Sequence, residues 1–212
     1  MLIILLTFAW VRFYEQRTLV SLGLGAAPLR KLLRGVMAGV LTVTLLATCL
    51  IVFFDASVTP GLSRVPFAAL ILSLLLLPLA WLVQAVSEEV LFRGFLLQSL
   101  GLKYGLIAAS LFSSVLFAGL HFEDGGSGAF YFLGTGILAL SLCLYTVFTH
   151  SLWGPIAFNL AWNFAQHIIF GVTLFDSGRE EIAIYDALSR APKLLIVETS
   201  TSAYATSFIA VA

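Results

Sequence analysis

Long apolar runs separated by short polar breaks dominate the chain. They can be placed at Arg34–Phe54, Pro66–Val86, Leu106–Phe122, Ala129–Phe148 and Pro155–Val172. Each is close to the ~20 residues that an α-helix needs to cross a bilayer. Runs such as LILSLLLLPLAWLV do not alternate apolar with polar positions. That argues against a transmembrane barrel, whose strands alternate over about 10 residues. The pattern predicts an all-α fold, a polytopic transmembrane helical bundle of about six spans. Both ends are irregular. MLIILLTFAW is too short to span alone and lacks the basic start of a signal peptide. The last stretch, Ala191–Ala212, is mildly apolar but broken by Lys193 and Glu198, which suggests a bundle cut short at one or both ends. The expected organisation is N-terminal spans with a basic linker (1–65), a core (66–172), and a polar loop with a partial C-terminal segment (173–212).

Composition agrees with a membrane protein. Of 212 residues, 60% are hydrophobic and only 10% charged, and the mean hydropathy is +1.05. Soluble domains carry about 25% charged residues. The net charge of zero gives no general attraction for nucleic acid. Local charge is more informative. Val11–Arg34 holds Arg12, Arg17, Arg30, Lys31 and Arg34 against Glu15 alone. This excess marks a cytoplasmic linker suited to anionic lipid headgroups. Cys49 and Cys143 lie far apart in apolar runs and read as small buried hydrophobes.

Three polar groups interrupt the apolar helices, and charge within a span usually faces a cavity or a partner. The first is SEEVLFRGF, Ser87–Phe95. In a helix Glu89 and Arg93 stack on one face and can neutralise each other, whereas Glu88 points about 100° away. This assigns Glu89 and Arg93 to structure and Glu88 to chemistry, although the two glutamates could exchange roles. A buried ion network that only fixes packing would use the same residues. The second is FAGLH, ending at His121. Counted from the break GLKYG, Glu88 and His121 differ in depth by only about 5 to 6 Å, so a helical hairpin would bring them level. Alone, His121 would read as a hydrogen-bonded interface residue. The third is FNLAWNFAQH, where Asn159, Asn163 and His167 recur every four residues along one stripe. Such a stripe can be interhelical glue or a row of donors for a developing oxyanion. His150, Glu123 and Asp124 read as loop residues.

In chain order, EEVLFRG, FAGLH and SLWGPIAFNLAWNF resemble the CAAX prenyl protease 2 and bacteriocin-processing (CPBP or Abi) family of intramembrane glutamate endopeptidases. Its EExxxR motif is matched by Glu88, Glu89 and Arg93, and its FxxxH motif by Phe117 and His121. The third motif, HxxxN, is matched by Asn163, with Asn159 standing where the family has histidine. The resemblance covers roughly Pro66–Val172. It implies an integral protein of the bacterial plasma membrane and a metal-independent peptidase acting on a peptide or membrane-protein substrate. Glu88 would be the general base, His121 its water-orienting partner and Asn163 an oxyanion donor. Asn159 could still donate through its amide but could not act as an imidazolium, a deficit for which His167, one turn beyond Asn163, is the candidate to compensate. No cofactor is expected. A metal is disfavoured because HExxH and closed Cys/His sets are absent. The alternative is a non-catalytic membrane protein on the same scaffold, holding a peptide or lipid as an immunity protein would. A transporter is a weaker third reading.

Overall fold

Within the described residues, each expected apolar run is mainly helical in the computed structural model, which describes residues 2–26, 29–53, 56–60, 67–123, 129–170 and 195–198. Helix α1 (Leu2–Ala9) runs into a π-helical turn at Trp10–Tyr14, and a 3-10 turn follows at Leu19–Leu22. Helix α2 covers Leu29–Phe53. Helix α3 (Phe67–Glu89) passes through a π-helical stretch, Val90–Leu96, into α4 (Leu97–Tyr104). Then come α5 (Leu106–Glu123), α6 (Ala129–Thr149) and α7 (Trp153–Phe164), the last ending in a π turn at Ala165–Ile169. The architecture is a helical membrane bundle. Among the described residues, Leu29–Phe53, Leu74–Tyr104 and Tyr131–Thr149 are long and apolar enough to cross a membrane, and Ile4–Tyr14 and Leu106–His121 are shorter apolar helices.

Two breaks foreseen in the sequence set the topology. Gly105 adopts φ 84°, a value that costs little only without a Cβ, and so reverses the chain between α4 and α5. SLWGP separates α6 from α7. Pro155 sits in the first turn of α7, where its missing N–H leaves no helical bond unmade.

Helix α2 packs most extensively on α7. Its contact stripe is small, with Gly35, Gly39, Val43 and Ala47 buried at four-residue intervals. A Cβ at Gly35 would collide with the Gly154 carbonyl, and one at Gly39 would lie 2.6 Å from the Phe158 carbonyl. Backbones approach this closely in membranes because packing, rather than hydrophobic burial, drives helix association there. The N-terminal segment docks against the same region. Val11 and Leu22 are fully buried with Ala85, Val90, Leu152 and Ile156, and the Trp153 indole donates to the Gly25 carbonyl at 2.6 Å.

Several features depart from the sequence expectation. A two-stranded antiparallel ribbon joins β1 (Ser57–Pro60) to β2 (Leu195–Glu198). Cys49 is exposed while Cys143 is buried, because α2 turns its Cys49 side away from the bundle. The basic linker is partly built into the fold: Arg17 pairs with Glu15 at 3.0 Å and donates to Gln98 Oε1 at 2.6 Å. Lys31 donates to the Thr149 carbonyl at 3.1 Å, satisfying a carbonyl that the end of α6 leaves open. Asp124, the expected polar loop Asp176–Lys193 and the span ends at Phe54, Pro66 and Val172 lie outside the described residues.

Candidate functional site

The end of α3 and the middle of α7 meet at a cluster of carboxylates and amides. Glu89 and Arg93 are both completely buried and form an ion pair of 3.1 Å. Such a pair inside a membrane protein is tolerable only when desolvation is offset by good partners, and Arg93 has several. Its Nη2 donates to the Ala139 carbonyl at 3.3 Å, and its guanidinium lies 4.5 Å from the centroid of the Phe117 ring. Glu89 Oε2 and Arg93 Nε have no partner among the described residues. The helix carrying Arg93 is π-helical from Val90 to Leu96 rather than α-helical as expected. Insertions of this kind are frequent at functional sites. The pairing foreseen from the four-residue spacing nevertheless forms.

Glu88 has a different environment. It is half-buried, and each of its carboxylate oxygens accepts from a side-chain amide. Gln84 Nε2 donates to Oε1 at 2.9 Å, and Asn159 Nδ2 donates to Oε2 at 2.8 Å. Asn159 also donates to Glu89 Oε1 at 3.2 Å, and its own oxygen accepts from Asn163 Nδ2 at 3.1 Å. One amide orientation satisfies all three bonds, since two N–H groups face two carboxylates and the oxygen faces a donor. Asn159 therefore ties both glutamates to α7, a task that a single imidazole N–H could not perform for two acceptors at once.

His121 is half-buried near the end of α5. By helix rise, Glu88 and His121 each lie about 24 to 26 Å along the hairpin from its turn at Gly105. The His121 ring stacks on Phe117 at 4.2 Å and its Nδ1 lies 2.9 Å from the Phe117 carbonyl. Phe117 thus separates the imidazole on one side from the Arg93 guanidinium on the other. Among the described residues no hydrogen bond joins His121 to Glu88. His167 stacks on Trp81 at 5.5 Å. Five of the six expected site residues (Glu88, Glu89, Arg93, Asn159, Asn163) are linked directly by hydrogen bonds, and His121 joins through Phe117. Gln84 was not foreseen. Its signal was a lone amide in the apolar run LAWLVQAV, one helical turn before Glu88. Among the described residues no three His, Cys, Asp or Glu side chains gather as a metal site would require.

All six residues fall within 69–165, the stretch that matches the family model for Type II CAAX prenyl endopeptidase Rce1-like proteins. No curated protein and no solved structure matches the chain. Residues 69–165, which hold the whole polar cluster, are thus similar to the Rce1-like type II CAAX prenyl endopeptidases, CAAX-type membrane proteases at the family level.

Proposed function

We propose that the protein is an intramembrane peptidase in which Glu88 activates a water for attack on a peptide carbonyl. The observation that carries this reading is the contrast between adjacent carboxylates. Glu89 is sealed against Arg93, whereas Glu88 is half-buried, has no cationic partner among the described residues and is held at both oxygens by amide donors. A general base must be positioned and reachable, and Glu88 meets both conditions. In this scheme Glu88 takes a proton from water as the oxygen attacks the carbonyl carbon. The carbonyl π electrons move onto oxygen, giving a tetrahedral oxyanion. Asn163 uses one N–H to bind Asn159 and has the second to offer that oxyanion. As the oxyanion collapses and the C–N bond breaks, Glu88 returns the proton to the departing nitrogen, releasing a carboxyl product and an amine. His121, at the depth of Glu88, orients the water. The mechanism needs no metal, and the substrate is a peptide or a membrane-protein segment entering from the bilayer.

The test is hydrolysis of a peptide library by the purified protein and by Glu88→Ala and His121→Ala. Each substitution should lower turnover by about 10²- to 10⁴-fold while the protein remains folded and extractable. Cleavage at the parent rate by both variants would remove the assignment.

One observation favours a second reading, in which the scaffold binds a peptide or lipid without cleaving it. Asn159 spends both N–H groups on the glutamates and cannot carry a proton. Asn159→His separates the two: a large gain in hydrolysis supports a weakened site at this position, and silence in both proteins supports the binding role.

A further inference from the structure

A cavity of about 320 Å³ lies beside Arg93 and away from the glutamate and asparagine cluster. Neither Glu88, His121, Asn159 nor Asn163 lines it. Its volume is at the small end of the about 300 to 1,000 Å³ range of ligand sites, enough for a headgroup rather than a whole lipid. The 3-10 turn of the basic linker, α4 and the connector between α6 and α7 enclose it. Ser21, Gln98, His150 and Ser151 supply polar wall, and Arg93 closes the floor.

The hydrogen-bond inventory of this wall is one-sided. Gln98 Oε1 already accepts from Arg17 at 2.6 Å, Ser21 Oγ accepts from Arg17 at 3.2 Å and Ser151 Oγ accepts from the Trp153 N–H at 3.4 Å. The Ser21 and Thr146 hydroxyls donate to the Thr18 and Leu142 carbonyls, but three other donors are unspent. Gln98 Nε2 and the Ser151 hydroxyl have no acceptor among the described residues, and neither does Arg93 Nε, wholly buried at the floor. Gln98 is half-buried, while Ser151 and Arg93 are buried, and buried donors without acceptors call for one. The cationic groups around the cavity point the same way. Arg17, which also pairs with Glu15, rides on two of its lining residues, and Lys31 binds the Thr149 carbonyl next to His150. The remaining wall includes Val20 and Leu106, which are 63% and 52% exposed and open the cavity toward the apolar outside. A donor-rich end joined to an apolar edge at the basic face of a membrane protein suits a phosphate carrying acyl chains.

We propose that this cavity is a specific site for the phosphate of an anionic phospholipid headgroup. Binding here is independent of the peptidase reading and is measured without activity. The full chain, purified in neutral detergent, is transferred to nanodiscs of phosphatidylcholine alone or mixed with phosphatidylglycerol, and retained lipid is counted by native mass spectrometry. A parallel sample in detergent receives inorganic phosphate, with the unfolding temperature as readout. The expected result is one retained phosphatidylglycerol per chain, with retention weakened by about tenfold or more in Gln98→Leu and in Ser151→Ala, the loss of one hydrogen bond to a charged group. A phosphate-induced rise in unfolding temperature, lost in the same variants and without preference for phosphatidylglycerol, supports the site with soluble phosphate as its source. The proposal is overturned if the two lipids are retained equally and phosphate has no effect. It is also overturned if both variants, folded by circular dichroism, hold the anion as the parent does.

Discussion

Helix α7 has two working faces built on opposite principles. Toward α2 it presents Gly154, Ala157, Phe158 and Ala161 to the glycine stripe at Gly35 and Gly39, and contact there is backbone against backbone. Toward α3 it presents Asn159, itself held by Asn163, and contact there is amide against carboxylate at 2.8 to 3.2 Å. The first face tolerates no added atom but needs no particular chemistry. The second needs its donors and acceptors in one arrangement and carries the candidate reaction. A site in lipid needs both, because hydrogen bonds hold Glu88 only as rigidly as the helix that offers them is itself held.

This contrast can be broken at either face. The largest expected effect is Arg93→Met. It leaves Glu89 buried without its cation and should cost about 3 to 5 kcal/mol, read as a fall in thermal unfolding temperature. Adding Glu89→Leu to that variant should recover most of the stability, since an ion pair replaced as a unit by apolar groups is often neutral. Failure to recover would place Glu89 in more than a structural role. Next in size, Asn163→Ala should reduce peptide turnover by about 10²- to 10³-fold with little change in unfolding temperature, and an equal loss of folded protein would make Asn163 glue instead. On the opposite face, Gly35→Ala should destabilise by about 1 to 3 kcal/mol through overpacking, with a matching loss for Gly39→Ala and no change in the residual activity per folded molecule. The smallest effect is Gln84→Leu. It removes one bond to Glu88, so stability should change by about 1 kcal/mol or less, while the pH profile of hydrolysis should move if Gln84 positions the base.

The helices were legible because apolar runs of spanning length leave few alternatives, and GLKYG and SLWGP marked the reversals. The pairing of Glu89 with Arg93 was legible because a four-residue spacing is a local property. The π-helical stretch Val90–Leu96 was not, since the residues VLFRGFL would also suit an α-helix and the distinction is decided by tertiary fit. Asn159 was read as a member of a polar stripe and as a departure from a motif. That it reaches both glutamates depends on the crossing of α3 and α7, which spacing within one helix cannot reveal. The linker showed its charge, but the bonds of Arg17 to Gln98 and of Lys31 to Thr149 join residues far apart in the chain. The ribbon of β1 with β2 was hidden because four-residue strands, one of them ending in Pro60, carry too little pattern to register.

The central claim is that Glu88, rather than its buried neighbour, activates water. Glu88→Gln keeps the shape of the side chain and its capacity to accept from Asn159 but removes the base. Hydrolysis of a cleavable peptide should fall by at least about 10²-fold relative to the parent, with an unchanged unfolding temperature. Turnover equal to the parent in a folded Glu88→Gln protein would contradict the account.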